Sequence, residues 1–179
     1  MTDSAGAKGP PGASGADGII DPSLPPLAQA LGRAALERGV RIATAESCTG
    51  GLISGAITAI AGSSDWFECG FVTYSNAAKM RDLGVPAETL DRFGAVSVET
   101  ARAMAEGARR VSGAHWSVAV TGVAGPTGGT PEKPVGTVCF AWAGSSGTQA
   151  SRTFLPGDRA AIRAESVRIA LQGLVDRLA

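Results

Sequence analysis

Histidine is almost missing from this chain of 179 residues, in which His115 is the only one. Zinc sites built from several histidines, His-Glu-x-x-His proteases and iron sites with two histidines all require more. Tyrosine is equally scarce, since Tyr74 stands alone and aromatic residues make up only 5% of the chain. A hydrolase of this composition must work without a histidine-ligated metal, and we expect no metal site and no cofactor.

An excess of either charge is also lacking, because 16 basic residues balance 16 acidic ones. Nucleic acids and anionic membranes are bound by broad basic surfaces, so neither partner is expected. No apolar run reaches the roughly 18 residues of a membrane-spanning helix, and residues 1–26 lack the apolar core of a signal peptide. The three cysteines, Cys48, Cys69 and Cys139, form no Cys-x-x-Cys motif. We interpret them as reduced thiols, which predicts a cytoplasmic protein.

Residues 1–26 differ in composition from the rest of the chain, since ten of these 26 positions are glycine or proline. Glycine recurs at every third position from Gly6 to Gly18, but so short a run is insufficient for a collagen triple helix. This composition is typical of a disordered segment. We therefore predict a disordered tail over 1–26 and one globular domain over 27–179, a length that suits a single core.

From Leu27 onward, short apolar runs alternate with helical patterns. Helices are predicted at 27–38, 51–61, 76–83, 86–92, from the cap at Ser97 to 112, and after Asp158. Strands are predicted at 40–45, 67–74, 116–121, 135–142 and 148–154, with a hairpin turn at 144–147. This order predicts an α/β sandwich with a mixed, mostly parallel sheet of about five strands. Ligands of such sheets bind beyond the strand carboxyl ends, where three polar segments fall: 46–51, 74–79 and 121–129.

Ser47 is the candidate nucleophile. It lies in Glu46-Ser47-Cys48-Thr49-Gly50-Gly51, between a predicted strand and a predicted helix, where a hydroxyl stands above the sheet edge. The N–H groups that follow are available there for an anion or a developing oxyanion. The simpler interpretation is that Ser47 or Thr49 only caps the helix. Cys48 is a rival nucleophile, because a thiol near a helix N-terminus has a lowered pKa; otherwise it is a small packed side chain.

A serine nucleophile needs a base, and His115 precedes the third strand at the end expected to lie away from the site. The other possible base is a lysine whose pKa is lowered by burial or neighbouring charge. Outside the tail only Lys79 and Lys133 are available, and Lys79 follows Tyr74 by five residues. A tyrosine at a strand end and a lysine on the next helix can face one crevice and relay a proton. A surface lysine beside a packed tyrosine ring is the alternative.

A glycine-rich loop follows the third strand, from Thr121 and Gly122 through Gly125 to Gly128 and Gly129. Glycines let the main chain approach a phosphate or carboxylate closely. The loop is neither a Gly-x-Gly-x-x-Gly fingerprint nor a Walker A motif. It is therefore a candidate binding loop, and the alternative is a tight loop under packing constraint.

Nine short blocks of the chain carry a resemblance to a known family. They are Ala45 to Gly51, Gly62 to Ser64, Gly70 to Asn76 with Lys79, Leu83 to Val85, Gly94 to Ser97, Met104-Ala105 with Gly107, Thr121 to Pro126 with Gly128-Gly129, Lys133 to Val138, and Phe154 to Arg159. In this order they resemble the CinA C-terminal domain family, the nicotinamide-nucleotide amidohydrolases. The resemblance covers about residues 27–178.

The resemblance implies hydrolysis of nicotinamide mononucleotide to nicotinate mononucleotide and ammonia, in pyridine-nucleotide salvage, on a three-layer α/β/α sandwich with a mixed sheet. The family nucleophile corresponds to Ser47, and its tyrosine and lysine correspond to Tyr74 and Lys79. Contacts to the oxyanion and the substrate are then expected from residues of the 48–51 turn and the 121–129 loop: Cys48, Thr49, Gly50, Gly51, Thr121, Gly122, Gly125, Gly128 and Gly129.

The partner implied is a small mononucleotide, whose phosphate we expect on main-chain N–H groups together with an arginine that the sequence does not identify. Two other functions are compatible with these residues. One is a non-catalytic nucleotide-binding or regulatory protein associated with competence or DNA damage, and the other is an amidase for a different small amide. The low charge and the many small residues are compatible with a homodimer without indicating one.

Overall fold

A computed structural model describes residues 24–179, which form six helices around one sheet. The helices are α1 (Leu24–Glu37), α2 (Leu52–Thr58), α3 (Asn76–Leu83), α4 (Ala87–Phe93), α5 (Val98–Ser112) and α6 (Arg159–Leu178), with a single 3-10 turn at Ser63–Asp65. The strands are β1 (Ile42–Glu46), β2 (Phe67–Val72), β3 (Trp116–Gly122), β4 (Thr137–Gly144) and β5 (Gly147–Phe154). The disorder predicted for the tail falls, over residues 1–23, outside the described part of the chain.

Helix α1 begins at Leu24, three residues before the predicted start. Pro25 and Pro26 occupy its first turn, where the missing N–H has no intrahelical partner to lose. The prediction of a tail reaching residue 26 is therefore wrong for its last three residues, which belong to the folded domain. Leu24 is buried and joins the hydrophobic core.

Other boundaries move by a few residues, each for a local reason. Helix α2 ends at Thr58 rather than at the predicted 61, because the chain then turns through tighter bonds such as Ile60 N–H to the Ile57 carbonyl. Strand β2 ends at Val72 because Val72 pairs with Glu46, the last residue of β1. Strand β4 starts at Thr137, after Gly136 has turned with a left-handed φ of 97°.

The sheet has the strand order β2-β1-β3-β4-β5. Strand β1 pairs in parallel with β2 and β3, whereas β4 runs antiparallel to both β3 and β5. Four of the five strands therefore share one direction, which confirms the mixed sheet. The predicted hairpin is β4–β5, which closes at the Gly144 and Gly147 pair.

Helices cover both faces of the sheet, which makes three layers. Helices α1, α2 and α6 pack on one face in the larger core, and α3, α4 and α5 form the core on the other. Strands β3 and β4 alternate large and small residues between these cores, as in Val118, Ala119 and Val120. Because the small side chains face α5, this helix lies close to the sheet, and the Ser117 hydroxyl donates to the Ala105 carbonyl at 2.6 Å.

The order of the strands determines where the sheet can form a ligand-binding crevice. The chain leaves β1 through α2 on one face to reach β2, then returns through α3 to α5 on the other face to β3. The connections thus diverge at the carboxyl end of β1, where open α/β sheets bind their ligands. Glu46, Val72 and Val120 lie level with one another at this edge, so the polar segments that follow them meet there. None of the helices within residues 24–179 is long and apolar enough to cross a membrane.

Candidate active site

Ser47 stands at the end of β1, on a turn that leads into α2. Its N–H donates to the Val120 carbonyl at 3.0 Å, and its carbonyl accepts from Gly50 N–H at 3.1 Å. Gly50 and Gly51 adopt left-handed φ angles of 60° and 99°, which reverse the chain within two residues. We call residues 47–51 the nucleophile turn. The Ser47 side chain reaches the crevice and stays 9% exposed.

Lys79 meets this serine across the crevice. It projects from α3, whose N-terminus is capped by the Ser75 hydroxyl accepting from Ala78 N–H. The Lys79 side-chain nitrogen, Nζ, lies 3.0 Å from Ser47 Oγ, 2.8 Å from the Thr73 carbonyl and 3.2 Å from the Tyr74 carbonyl. Lys79 is only 1% exposed. The fold therefore brings together two residues that are 32 positions apart in sequence.

Burial lowers the pKa of Lys79 below its ordinary value of 10.5, while the neighbouring Cys48 opposes this shift. Whenever the amine is neutral, it has two N–H donors and one lone pair. The Thr73 and Tyr74 carbonyls then accept the two N–H groups, and the lone pair faces the Ser47 hydroxyl. The arrangement is compatible with the predicted serine nucleophile and lysine base.

Tyr74 lines the same crevice in a different way from the one expected. Its contact with Lys79 is made by the main-chain carbonyl, and the side chain is 64% exposed. Among the described residues, the phenol oxygen has no hydrogen-bond partner. Tyr74 thus holds the lysine through its main chain and forms an outer wall of the crevice with its ring.

Cys48 has the opposite electrostatics to those of a reactive thiol. It is 6% exposed, and burial, as the largest cause, raises its pKa to about 11. Its own main chain, Arg163 and Lys79 act in the other direction, whereas Glu46 adds to the rise. A thiol that stays protonated near neutral pH is a poor nucleophile. The lowered pKa expected from its place in the sequence is therefore wrong, because desolvation outweighs the favourable charges.

The Glu46 carboxylate accepts hydrogen bonds from the N–H groups at the start of α2, a role that was not predicted from the sequence. This carboxylate is fully buried and accepts from Gly51 N–H at 2.9 Å, Ile53 N–H at 3.1 Å and Ser54 N–H at 2.8 Å. Its Oε1 also accepts from the Ser54 hydroxyl at 2.8 Å. The start of α2 is thus filled from within the protein and is not open to a substrate anion.

The nucleophile turn therefore keeps few free donors. Gly50 N–H is bonded to the Ser47 carbonyl and Gly51 N–H to Glu46. Within the described residues, the Cys48 and Thr49 N–H groups have no hydrogen-bond partner. Thr49 is fully buried with its hydroxyl unpaired, and its carbonyl accepts from Arg163. Of the four predicted contact residues of the turn, Gly50 and Gly51 thus have bonded N–H groups, and within the described residues Cys48 and Thr49 have unpaired ones.

The glycine-rich loop forms the opposite wall. Thr121 is buried, and its hydroxyl donates to the Ala95 carbonyl at 2.7 Å, which ties the loop to the segment before α5. Gly122, Gly125 and Gly128 line the crevice, whereas Gly129 lies outside it. A side chain at Gly129 would crowd the main chain of Pro134 and Val135, so this glycine is needed for packing.

The crevice has a volume of about 330 Å³ and lies between Ser47, Lys79, the glycine-rich loop and Arg159. Arg159 begins α6, and its Nη1 donates to the Gly125 carbonyl at 2.8 Å. Arg159 is therefore a candidate for the arginine that the sequence left unidentified, and it ends the last of the nine resembling blocks. A second cavity of about 680 Å³ adjoins the first and shares Ala124 and Arg159 with it.

The two remaining candidate bases lie elsewhere. The His115 Nδ1 accepts from Arg41 N–H at 2.9 Å, next to the start of β3 and at the opposite end of the sheet from Ser47. Lys133 Nζ donates to the Phe93 carbonyl at 2.7 Å, at the carboxyl end of α4, where a cation is favoured. Neither side chain lines the crevice.

Comparison with known proteins agrees with this geometry. A family model described as the CinA C-terminal domain matches residues 25–178. This chain belongs to the CinA C-terminal domain family. That membership confirms the family inferred from the nine blocks, and the match extends over all but the two ends of the described residues 24–179.

Relatives and solved structures of this family fall into short and long forms. The chain is 51% identical over 156 residues to the nicotinamide-nucleotide amidohydrolase PncC of Pseudomonas putida, covering 87% of this chain and 97% of that one. It is 56% identical over 134 residues to a CinA-like protein of an Anaeromyxobacter species, covering 75% of this chain but 33% of that relative. The crystal structure of the competence/damage inducible protein CihA from Agrobacterium tumefaciens has a TM-score of 0.85 and 46% identity, covering 88% of this chain and 96% of that one. The three-layer α/β fold is thereby confirmed.

Proposed function

We propose that this protein is an amidohydrolase that converts nicotinamide mononucleotide to nicotinate mononucleotide and ammonia, in pyridine-nucleotide salvage. The observation that carries the proposal is the buried Lys79 amine 3.0 Å from the Ser47 hydroxyl, in a crevice with glycine-rich walls. A relative named for this activity is 51% identical and is covered over 97% of its length, which supports the same chemistry here.

In the acylation half, the Ser47 oxygen attacks the carboxamide carbon and its proton passes to the neutral Lys79 amine. The carbonyl oxygen becomes an oxyanion in the tetrahedral intermediate. Collapse then breaks the C–N bond, and Lys79 returns its proton to the departing nitrogen, which leaves as ammonia. A positioned base contributes about 10²–10⁴-fold to such a reaction.

In the deacylation half, a water molecule attacks the ester carbon while Lys79 accepts its proton. The ester C–O bond breaks, Ser47 recovers its proton from Lys79, and nicotinate mononucleotide leaves as the carboxylate once its carboxyl proton has passed to solvent. Both halves thus use one base, and the burial that lowers the pKa of Lys79 favours the neutral amine, the form that accepts a proton.

The rest of the nucleotide is placed by the cationic side of the crevice. We assign the phosphate to the neighbourhood of Arg159 and the glycine-rich loop, because Arg159 is the arginine that lines the crevice among the described residues. The Tyr74 ring is placed to cover the pyridine ring, since it is exposed at the same rim. The domain that performs this reaction extends over residues 24–179, and we propose that it works in the cytoplasm with its three cysteines as free thiols.

The test is turnover of nicotinamide mononucleotide, followed by release of ammonia and formation of nicotinate mononucleotide. We expect the wild type to be active, Ser47→Ala to lose activity, and Cys48→Ala to retain most of it as the matched control. Folded wild-type protein that binds the nucleotide without turnover would indicate a binding protein instead. Activity that survives in Ser47→Ala and disappears in Cys48→Ala would assign the nucleophile to the thiol.

A further inference from the structure

Arg163 holds the nucleophile turn from behind. It projects from the second turn of α6, and its Nε donates to the Cys48 carbonyl at 3.1 Å. Its Nη2 donates to the Thr49 carbonyl at 2.9 Å. The planar guanidinium thus spans two successive carbonyls of the turn, a contact that a lysine cannot reproduce with a single nitrogen.

These contacts fix the orientation of the peptide planes beside Ser47. In a trans peptide the C=O and the next N–H point in opposite directions. The Cys48 carbonyl points to Arg163, so Thr49 N–H points away from it. The Thr49 carbonyl also points to Arg163, so Gly50 N–H points away from it and reaches the Ser47 carbonyl. Because the Ser47 carbonyl accepts this bond, Cys48 N–H points away from the inside of the turn.

We propose that Arg163 is a positioning residue that keeps the Cys48 N–H aimed at the oxyanion formed on attack by Ser47. This inference rests on the proposed amidohydrolase function. Cys48 and Thr49 carry the N–H groups of the turn that have no partner within the described residues, but of these two residues only Cys48 lines the crevice, directly after the nucleophile. Glu46 removes the Gly51 N–H from that set, and Gly50 N–H closes the turn.

An alternative role for Arg163 is a direct contact with the substrate phosphate, because its side chain also lines the second cavity. The contacts of Arg163 favour the positioning role, since both bonded nitrogens are committed to carbonyls of the turn. The two roles differ in kinetics. A phosphate contact acts mainly on substrate binding, whereas aimed oxyanion donors act only in the transition state.

The experiment compares Arg163→Met and Arg163→Lys with Arg168→Met. Arg168 is the matched control, because it lies on the same helix and, within residues 24–179, its guanidinium is hydrogen-bonded only to Glu165 in an exposed ion pair. For each variant we would measure kcat and KM with nicotinamide mononucleotide. We would also measure the rate at which a fluorophosphonate probe labels Ser47, because phosphonylation needs the same nucleophile and oxyanion donors but no nucleotide contact.

We expect Arg163→Met to lower kcat about 10- to 100-fold with KM nearly unchanged, since full loss of one oxyanion donor typically costs about 10²–10³ in kcat. Probe labelling should slow by a similar factor, Arg163→Lys should fall between Arg163→Met and the wild type, and Arg168→Met should match the wild type. A rise in KM with unchanged kcat and labelling would overturn the proposal in favour of a phosphate contact. If Arg163→Met does not fold, Arg163→Lys decides, and wild-type kcat and labelling in it would overturn the proposal.

Failure of the proposed function would look different. In that case the wild type would label with the probe but would not hydrolyse the nucleotide. The labelling rates of the Arg163 variants would still test the positioning role, and equal rates in Arg163→Met and the wild type would refute it.

Discussion

Replacing Glu46 with glutamine removes one charge and changes almost no volume, so it isolates the contribution of the buried carboxylate's charge to the free energy of unfolding. In the wild type, Oε2 accepts from two main-chain N–H groups, of Gly51 and Ile53. Oε1 accepts from Ser54 N–H and from the Ser54 hydroxyl. A glutamine must place its NH₂ group on one of these two sides, where it faces main-chain N–H donors.

The less costly orientation puts the NH₂ beside Ser54, because only one main-chain N–H lies there and the Ser54 hydroxyl can rotate to accept. Ser54 N–H is then left unpaired, which costs about 1–3 kcal/mol. The bonds from Gly51 and Ile53 lose their charge assistance, about 1 kcal/mol each, and the easier burial of a neutral amide offsets part of this. We expect Glu46→Gln to lower the free energy of unfolding by about 2–4 kcal/mol, which corresponds to roughly 10 °C in Tm for a domain of this size.

Urea unfolding followed by circular dichroism measures this free energy. The control is Glu165→Gln, which removes a carboxylate of the same size from an exposed ion pair with Arg168 and should change the stability by less than about 0.5 kcal/mol. Glu46→Gln should also lower kcat, because the start of α2 and the nucleophile turn share these bonds. If Glu46→Gln unfolds within about 0.5 kcal/mol of the wild type, the carboxylate does not hold the start of α2 and the reasoning is refuted.

The remaining predictions concern the base and the packing of the helices. Lys79→Arg should lower kcat by at least about 10²-fold, because arginine does not act as a base near neutral pH. For the wild type, kcat/KM should fall as the pH drops below the lowered pKa of Lys79, since the protonated amine cannot accept the Ser47 proton, and a pH profile without an acid limb would contradict this. Burial lowers the pKa of Lys79 in the folded state below 10.5, so the unfolded chain binds more protons between the folded-state and unfolded-state pKa values. The free energy of unfolding of the wild type relative to Lys79→Met should therefore rise with pH across that window. Urea unfolding at about pH 7 and about pH 10 tests the sign of this change. Gly107→Ala should destabilise the protein by about 1–3 kcal/mol, because its Cβ would overlap the Leu83 carbonyl where α5 crosses α3. Gly55→Ala, in α2 with open space around it, should instead be neutral or stabilising by up to about 1 kcal/mol, and equal effects of both changes in thermal unfolding would contradict the packing argument.

Much of the fold was predictable because its signals are local. Ser97 and Asp158 cap α5 and α6 at the predicted positions, since a short polar side chain that accepts from the third N–H is a local device. The pairing of Ser47 with Lys79 was also predictable, because the scarcity of histidine left few bases and both residues follow predicted strands. Boundaries such as the start of α1 and the end of β2 were less predictable, since they depend on which neighbours each element meets.

The contacts around the nucleophile turn were not predictable in the same way. Glu46 directly precedes Ser47 in sequence, yet only the structure shows that its buried carboxylate accepts hydrogen bonds from the N–H groups at the start of α2. Arg163 and Arg159 come from α6, more than a hundred residues after the turn. Arg159 ends one of the resembling blocks, but nothing local distinguishes Arg163 from the other arginines. The pKa shift of Cys48 is also opposite in sign to the one expected from its place in the sequence. The desolvation that raises this pKa exists only once the core has formed around the thiol.

The sequence by itself determined the residue types that can do chemistry here and the order of strands and helices that carries them. Composition and local periodicity suffice for that, because they depend on neighbouring residues alone. Only the tertiary structure decided which of those residues act, since burial, hydrogen-bond occupancy and pKa depend on distant parts of the chain. Packing of α3 and α6 against the end of β1 buried Lys79 beside Ser47, lowered the pKa of that lysine and, within the described residues, left two N–H groups of the nucleophile turn unpaired.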